Sequence, residues 1–309
     1  MKPTVSVVMA AKNYARFIGQ AVRSVFAQTT PDWELVIVDD GSTDHTPQAV
    51  QQFLGDPRVR YVRSDKLGQP RAKNLGLRLS RGEFIAYLDA DDAWEPTKLA
   101  KQLVVLRERP EVGVCYCDRL LMDESGKVEP NARGRPSAGF DGKPASIFLS
   151  NPVCFSSVVV RRAVFDQVGG FDPEFDLSID YDLWLRVARH WQFANVPEPL
   201  VRYRTGHGNL SRKLWDRVDT ALAIMTRAVR RGRGELPRGV IAEGYSSTCN
   251  TLGYVLRPSE PLTAAWWYAR GLAWGGEPVR SAKGMAAAAV RWASGKRSPG
   301  AAENATANG

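Results

Sequence analysis

Short apolar runs alternate with apolar positions at helical spacing along the first hundred residues. "TVSVVMAA" (4–11) is a β-branched run of strand length. In "YARFIGQAVRSVFAQ" behind it, Phe17, Ile18, Ala21, Val22, Val25 and Phe26 recur at the period of a helix face. "WELVIVDD" (33–40) reads as a second strand, and "GSTDHTPQAVQQFL" as a turn entering a helix with Thr46 as N-cap and Pro47 in its first turn. "VRYVRS" (59–64) follows as a third strand, "GQPRAKNLGLRLSRG" as a short helix and "EFIAYLDA" (83–90) as a fourth strand. Pro96 opens a further helix to about Arg109.

Strand and helix alternating at this interval predict an α/β fold with a mainly parallel, Rossmann-like sheet covered on both faces and joined by right-handed crossovers. Ligands of such sheets bind beyond the carboxyl ends of the strands. The polar clusters lie at those ends: Asn13 after the first strand, Asp39 and Asp40 closing the second, Asp89, Asp91 and Asp92 closing the fourth. From residue 110 the pattern changes. "VGVCYCD" and "SSVVVRR" read as strands on either side of a Gly- and Pro-containing loop (123–145). "SIDYDLWLRVARHW" reads as a helix with Ser178 at its N-cap and Trp184 in the core, and 212–293 as mostly helical. Three parts are expected: a domain over 1–211, a helical region over 212–296, and a tail over 297–309 that lacks core-forming residues.

Composition changes this picture little. The 309 residues are 44% hydrophobic and 24% charged, enough for a full core. The net charge of +9 is uneven: residues 1–200 carry 25 Lys and Arg against 26 Asp and Glu, and 201–309 carry 17 against 7. An acidic partner and a solvated helical face both account for that bias. The four cysteines form neither a disulfide framework nor a zinc spacing, which suits a reducing compartment. The N-terminal apolar run reads as a strand, not as a signal peptide, and no run is long enough for a transmembrane helix. With no GxGxxG or P-loop motif, dinucleotide oxidoreductases and P-loop enzymes are disfavoured, and nothing suggests a nucleic-acid module.

An Asp-x-Asp by itself is weak evidence, because Asp favours turns in any chain. Position changes its weight, since adjacent carboxylates at a strand end repel unless a cation or protonation relieves them. Mg²⁺ and Mn²⁺ are typically held by one or two carboxylates together with substrate phosphates, so the cluster fits a metal-diphosphate site. Turn chemistry accounts for Gly41 through Pro47, but not for Asp39 and Asp40, which are placed to accept hydrogen bonds from a base or ribose. Asp180 and Asp182 stand in the first turn of a helix, where the macrodipole alone favours carboxylates.

In order, "SVVMAAKN", "VIVDDGSTD", "RAKNLGL", "AYLDADD", "GGFDP", "DYDLWLR" and "YRTGHGNLS" resemble the motifs of the family 2 glycosyltransferases with the GT-A fold, over about residues 3–212. The resemblance implies an inverting transfer of a single sugar from a nucleotide-diphosphate sugar, UDP- or dTDP-linked, to a hydroxyl of a glycan, polysaccharide or glycolipid, assisted by Mn²⁺ or Mg²⁺. It places Ala11 and Asn13 in the nucleotide pocket, Asp39 and Asp40 at base and ribose, and Lys73 with Asn74 at base or diphosphate. Asp89, Ala90 and Asp91 form the metal motif, with Asp91 the direct ligand and Asp89 nearer the ribose or a metal-bound water. Asp180 falls on the general base, while Ile179 replaces a glutamate common in that motif. Arg204 and His207 fall in a loop closing over the donor, His207 as a metal or phosphate contact or as an exposed residue.

Trp266, Trp267, Trp274 and Trp292 with Arg270, Arg280, Lys283, Arg291 and Lys296 suit either a basic amphipathic surface on anionic lipid or helix packing. Ala288 stands where the Gln-x-x-Arg-Trp motif of processive members would place its glutamine, which favours single addition. A cytoplasmic protein, with or without peripheral attachment to the membrane, is expected. A metal-dependent sugar nucleotidyltransferase and a non-catalytic nucleotide-sugar-binding protein are the alternatives. The former lacks its glycine-rich basic loop, and the latter would tolerate loss of Asp91 or Asp180.

Overall fold

A computed structural model describes residues 2–133, 140–206, 214–232 and 234–294, and the chain divides into two compact units. Unit 1 comprises residues 1–147 and 151–210, and unit 2 comprises 148–150 and 211–309.

Unit 1 is built on one sheet. Its parallel half is β1 (Val5–Ala11), β2 (Trp33–Asp40), β3 (Val59–Ser64) and β4 (Phe84–Tyr87), in the order β3-β2-β1-β4. Helices α1 (Ile18–Phe26), α2 (Thr46–Gln51) and α3 (Gln69–Leu79) are the crossovers. Every residue of β2 and β4 is buried, as expected for strands covered on both faces. Helix α3 lies so close to the sheet that a Cβ at Gly76 would collide with Val8. The chain runs outward from β1 to β2 and β3, then returns to β4 on the other side of β1. This switch point opens the crevice at the carboxyl ends of β1, β2 and β4.

The second half of the sheet departs from the expected pattern. β5 (Ala93–Trp94) precedes α4 (Lys98–Glu108), and β6 (Val112–Met122) is the long strand that begins at "VGVCYCD". The segment 123–145, expected to be a loop, contains β7 (Val128–Arg133), which pairs with β6, and the start of α5 (Pro144–Leu149). Of "SSVVVRR", only β8 (Val159–Arg161) is strand, after a 3₁₀ turn at Phe155–Ser157 and before α6 (Arg162–Val168). α7 (Ile179–Val187) leads into β9 (Gln192–Arg204), a 13-residue strand the apolar pattern did not show, because Pro197 and Pro199 and alternating polar residues mask it. β9 lies between β6 and β5, and its Val201 is opposite both Arg119 of β6 and Trp94 of β5.

Two expected caps are also corrected. Thr46 lies inside α2, with its N–H and hydroxyl donating to Asp44. Ser178 does precede α7 but makes no capping bond, and it adopts a left-handed backbone (φ 51°), which is uncommon for serine.

Unit 2 contains α8 (Leu214–Gly232), α9 (Arg238–Leu256), α10 (Pro261–Trp274) and α11 (Pro278–Ala293). Proline opens both α10 and α11, where its missing N–H costs no hydrogen bond. Cys249, Leu252, Ala264, Trp267, Tyr268 and Ala288 form its core. Only Trp267 of the four expected tryptophans is buried. Trp266 is 54% exposed, Trp292 60% and Trp274 44%. No described helix is long and apolar enough to cross a membrane. The tail 297–309 and His207 lie outside the described residues.

Candidate active site

The loops following β1 and β2 are stitched together by the short polar side chains of "GSTD". Ser42 Oγ accepts from the Asn13 N–H (3.0 Å), and Asn13 Oδ1 accepts from the Thr43 N–H (2.8 Å). Thr46 Oγ1 accepts from the Tyr14 N–H (2.8 Å), and Asp44 from the Ala15 N–H (3.1 Å). Asn13 itself sits at φ 62°, a conformation asparagine tolerates better than most residues, and the residue stays exposed. The turn chemistry of this stretch is therefore real, and its product is a rigid wall at the end of β1.

Asp39 is fully buried and lies opposite Ala11 in the sheet register. Its carboxylate accepts from the Ser42 N–H (2.8 Å) and the Tyr61 hydroxyl (2.5 Å). Asp40 accepts from the N–H groups of Leu67 (2.5 Å) and Gly68 (3.0 Å), so its carboxylate holds the β3–α3 loop. Asn74 likewise braces a loop, because its amide donates to the Phe171 carbonyl (2.7 Å) and accepts from the Phe171 N–H (2.9 Å). A Cβ at Gly170 would collide with that amide, which explains the glycine in "GGFDP". The same loop is held from the other side by Arg186, which pairs with Asp182 (2.8 Å) and donates to the carbonyls of Val168 and Gly170. Ala11 and Ala90 are packed in the core and offer only their backbone to a ligand.

Between β4 and β5 the acid-rich turn is closed by a bond from the Asp92 N–H to the Asp89 carbonyl (3.1 Å), and its three carboxylates have different surroundings. Asp89 is partly open and pairs with Lys73 (2.9 Å), whose ammonium also lies 3.5 Å from the centre of the Phe155 ring. Asp92 is buried, accepting from the Ser156 hydroxyl (2.5 Å) and the Arg204 N–H (2.9 Å). Burial, and then the charges of Asp91 and Asp89, push its acid well above the ordinary range. Asp91 is pushed up to about 7, by burial first and by Asp89 second, while Arg204 and Lys73 pull it down.

Arg204, expected in a loop over the donor, is instead a buried cross-brace. Its guanidinium donates to the carbonyls of Asp91 (2.8 Å), Asp123 (2.9 Å) and Glu124 (2.8 Å) and to Gln20 (2.5 Å). It fixes the acid turn and ties it to two carbonyls of the β6–β7 turn, a role that a motif match cannot reveal. Two tyrosines the sequence did not single out, Tyr14 and Tyr203, stand beside the acid turn. Burial, then the neighbouring carboxylates, raise both phenols above their ordinary range.

Asp180 stands in the first turn of α7 and accepts from the Asn151 amide (2.8 Å). Asn151, also unmarked by any motif, begins a short segment that reaches the rest of the site. Phe155 underlies Lys73, and Ser156 holds both the Asp89 N–H (3.1 Å) and the Asp92 carboxylate. Trp94 donates to the Ser156 carbonyl (2.7 Å). Five peptide steps separate Asn151 from Ser156, so the Cα atoms of these two anchors lie within about 18 Å even if that chain is fully extended. One short segment therefore bonds Asp180 at one end and the acid turn at the other.

Residues 6–169 match the family described as Glycosyl transferase family 2. An uncharacterized glycosyltransferase from Nostoc is 33% identical over 174 residues, which are 55% of this chain and 54% of that protein, about half its length. A putative teichuronic acid biosynthesis glycosyltransferase, TuaG from Bacillus subtilis, is 31% identical over 219 residues, covering 69% of this chain and 84% of its own. Among solved structures, S. aureus TarS in complex with UDP-GlcNAc aligns with a TM-score of 0.68 at 15% identity, over 95% of this chain and 92% of that one. The mannosyltransferase PcManGT from Pyrobaculum calidifontis, in complex with GDP-Man and Mn²⁺, aligns with a TM-score of 0.62 at 20% identity, over 94% and 87%.

Proposed function

The chain belongs to glycosyl transferase family 2, and from that premise we propose that it transfers one sugar, with inversion, from a nucleotide-diphosphate sugar to an acceptor hydroxyl in glycan, polysaccharide or glycolipid assembly. The observation that carries this reading is the 151–157 segment, which bonds Asp180 through Asn151 and the acid turn through Ser156. In an inverting displacement the acceptor hydroxyl attacks the anomeric carbon from the face opposite the departing diphosphate. The base and the diphosphate site must then line opposite walls of one cleft. Asp180, oriented by Asn151, takes the hydroxyl proton on one wall. Lys73 and the acid turn receive the diphosphate on the other, and Asp39 with the Asn13 backbone receives the nucleoside.

The acid turn fits a divalent cation. Asp89 pairs with Lys73, and burial and then repulsion from Asp89 push the Asp91 acid up to about 7, a state that a bound cation relieves. Among the described residues no three His, Cys, Asp or Glu side chains converge as a complete site, so further ligands have to come from the donor, as is usual for Mg²⁺ and Mn²⁺. When bound, such an ion neutralises charge on the leaving diphosphate, worth several kcal/mol. These surroundings support Asp91 as direct ligand and Asp89 as its neighbour.

A thermal-shift screen of UDP-, dTDP- and GDP-sugars with and without Mn²⁺ tests the reading. One donor should raise the melting temperature by several degrees in a metal-dependent way, since ligand at about 100 times its Kd adds about 2.7 kcal/mol. A shift by none of them would sink it, and a shift indifferent to metal would remove the cation.

Unit 2 is proposed to rest on anionic lipid. Its exposed Leu262, Trp266, Val279, Val290 and Trp292 are interspersed with arginines, of which Arg270 stacks over Trp266 (4.8 Å) and Arg257 over Tyr254 (5.2 Å). Each basic residue near such a surface contributes about 1 kcal/mol, so Arg270→Gln should weaken binding to phosphatidylglycerol vesicles about fivefold. Sedimentation that does not distinguish these vesicles from neutral phosphatidylcholine ones would exclude the surface.

A further inference from the structure

Most cations of this face of unit 1 have a protein oxygen as partner: Lys73 has Asp89, Arg186 has Asp182, Arg202 has Glu95, and Arg204 has three carbonyls. Arg119 differs. Among the described residues its side chain makes no ion pair and no hydrogen bond, and its Nε is out of solvent without an acceptor. Its guanidinium is held by packing alone, 5.4 Å from the centre of the Tyr203 ring.

Strand register places this group at the crevice. Arg119 on β6 pairs with Val201 on β9, which pairs with Trp94 on β5, two residues after Asp92. Two strand spacings separate Arg119 from Trp94, about 10 Å. The ring on which Arg119 stacks borders the carboxylates of the acid turn, and the Cys154 thiol, in the segment that holds Asp180, also senses its charge. Arg119 is thus on the β6–β9 side of the crevice, with the 151–157 segment, and away from β1–β3, where Asp39 and Asn13 lie. An Arg fork with unused donors matches a carboxylate or phosphate in bidentate geometry. Its stacking on Tyr203 pre-orders the fork before a ligand arrives.

We propose that Arg119 is the anion anchor of the acceptor subsite, so that the acceptor carries a phosphate ester or a uronic acid carboxylate next to the hydroxyl that is glycosylated. This inference rests on the transferase reading above and names the substrate class of the same site.

Calorimetric titration of the full chain with inorganic phosphate, D-glucuronate and neutral methyl glucoside tests it, using the native protein, Arg119→Ala and Arg119→Lys. Millimolar binding of phosphate or glucuronate is expected, at least tenfold weaker in Arg119→Ala and partly restored in Arg119→Lys. Which anion binds tells a phosphate ester from a uronic acid. Absence of anion binding in the native protein, equal affinity in Arg119→Ala, or methyl glucoside binding as well as glucuronate would each overturn the proposal. So would a loss in Arg119→Ala of the thermal shift given by the nucleotide sugar, which would assign the residue to the donor diphosphate. Donor hydrolysis by the native protein is followed in parallel. Its absence counts against the transferase reading, whereas hydrolysis without Arg119-dependent anion binding counts against the anchor alone.

Discussion

Replacing Asp180 by asparagine is expected to lower sugar transfer by about 10²- to 10⁴-fold while leaving the donor-induced thermal shift in place. The substitution keeps size and an acceptor oxygen for the Asn151 amide, which now bonds Asp180 at 2.8 Å, and removes only the ability to take a proton. A carboxylate at this position has another explanation, since the first turn of any helix favours one. Asp182 fulfils that role and a second one, pairing with Arg186 to hold the 168–170 backbone. Asp180 instead reaches out of the helix to a segment whose Ser156 bonds the acid turn. Asn151→Ala should give an intermediate loss of about ten- to a hundredfold in kcat, because a hydrogen bond to a charged group is worth about 1.5–3 kcal/mol. Single-turnover transfer with saturating donor measures both. Unimpaired transfer by Asp180→Asn would remove the residue from the chemistry, and an Asn151→Ala effect as large as that of Asp180→Asn would mean that the segment, not the base, had been damaged.

The parallel half of the sheet was legible because its signal is local. Buried strands of four to eight apolar residues between helices leave a periodic trace, and the carboxylates at their ends follow from topology. The other half was not. β9 is long but carries Pro197, Pro199 and alternating polar side chains, and its place between β6 and β5 depends on residues about a hundred positions away. The site shows the same division. Asp39, Asp89, Asp91 and Asp180 stand out as carboxylates where carboxylates repel one another or lose solvent. Asp40, Asn74 and Arg204 belong to equally visible motifs, yet their polar atoms are used by the Leu67 N–H, the Phe171 backbone and the Asp91 carbonyl, as those of Asp39 are by the Ser42 N–H and the Tyr61 hydroxyl. A motif keeps the strand-end carboxylates together with the residues that hold the neighbouring loops, and the hydrogen bonds that brace those loops are visible only in the fold. Asn151, Tyr203 and Arg119 show the converse: their importance comes from what they meet across the sheet, which leaves no local pattern.

Asp91→Asn is expected to abolish the Mn²⁺-dependent part of the donor-induced thermal shift and, at the same time, to stabilise the metal-free protein at neutral pH. The second effect follows from linkage. In the unfolded chain this acid titrates near 3.9, whereas in the fold burial and Asp89 push it up to about 7. Between pH 4 and 7 the folded protein keeps a proton that the unfolded chain has released, so the unfolded state binds fewer protons and stability falls as pH rises through that window. The penalty is complete above about pH 7 and amounts to a few kcal/mol, or about 2–4 °C in melting temperature per kcal/mol. Asparagine carries no charge and escapes it, so the metal-free variant should melt higher than the native protein at pH 7.5, with the two converging toward pH 4. Saturating Mn²⁺ and donor should reverse that order at pH 7.5, because a cation that displaces the proton turns the same carboxylate from a cost into a ligand. Melting curves at several pH values, with and without Mn²⁺, decide the matter. Parallel curves for the two proteins would place Asp91 outside the buried acid cluster, and an unchanged Mn²⁺ response in the variant would move the cation to Asp89. If both effects appear together, the repulsion stored in "DADD" is what makes the empty crevice receptive to a cation, and metal and donor should then bind each more tightly in the presence of the other.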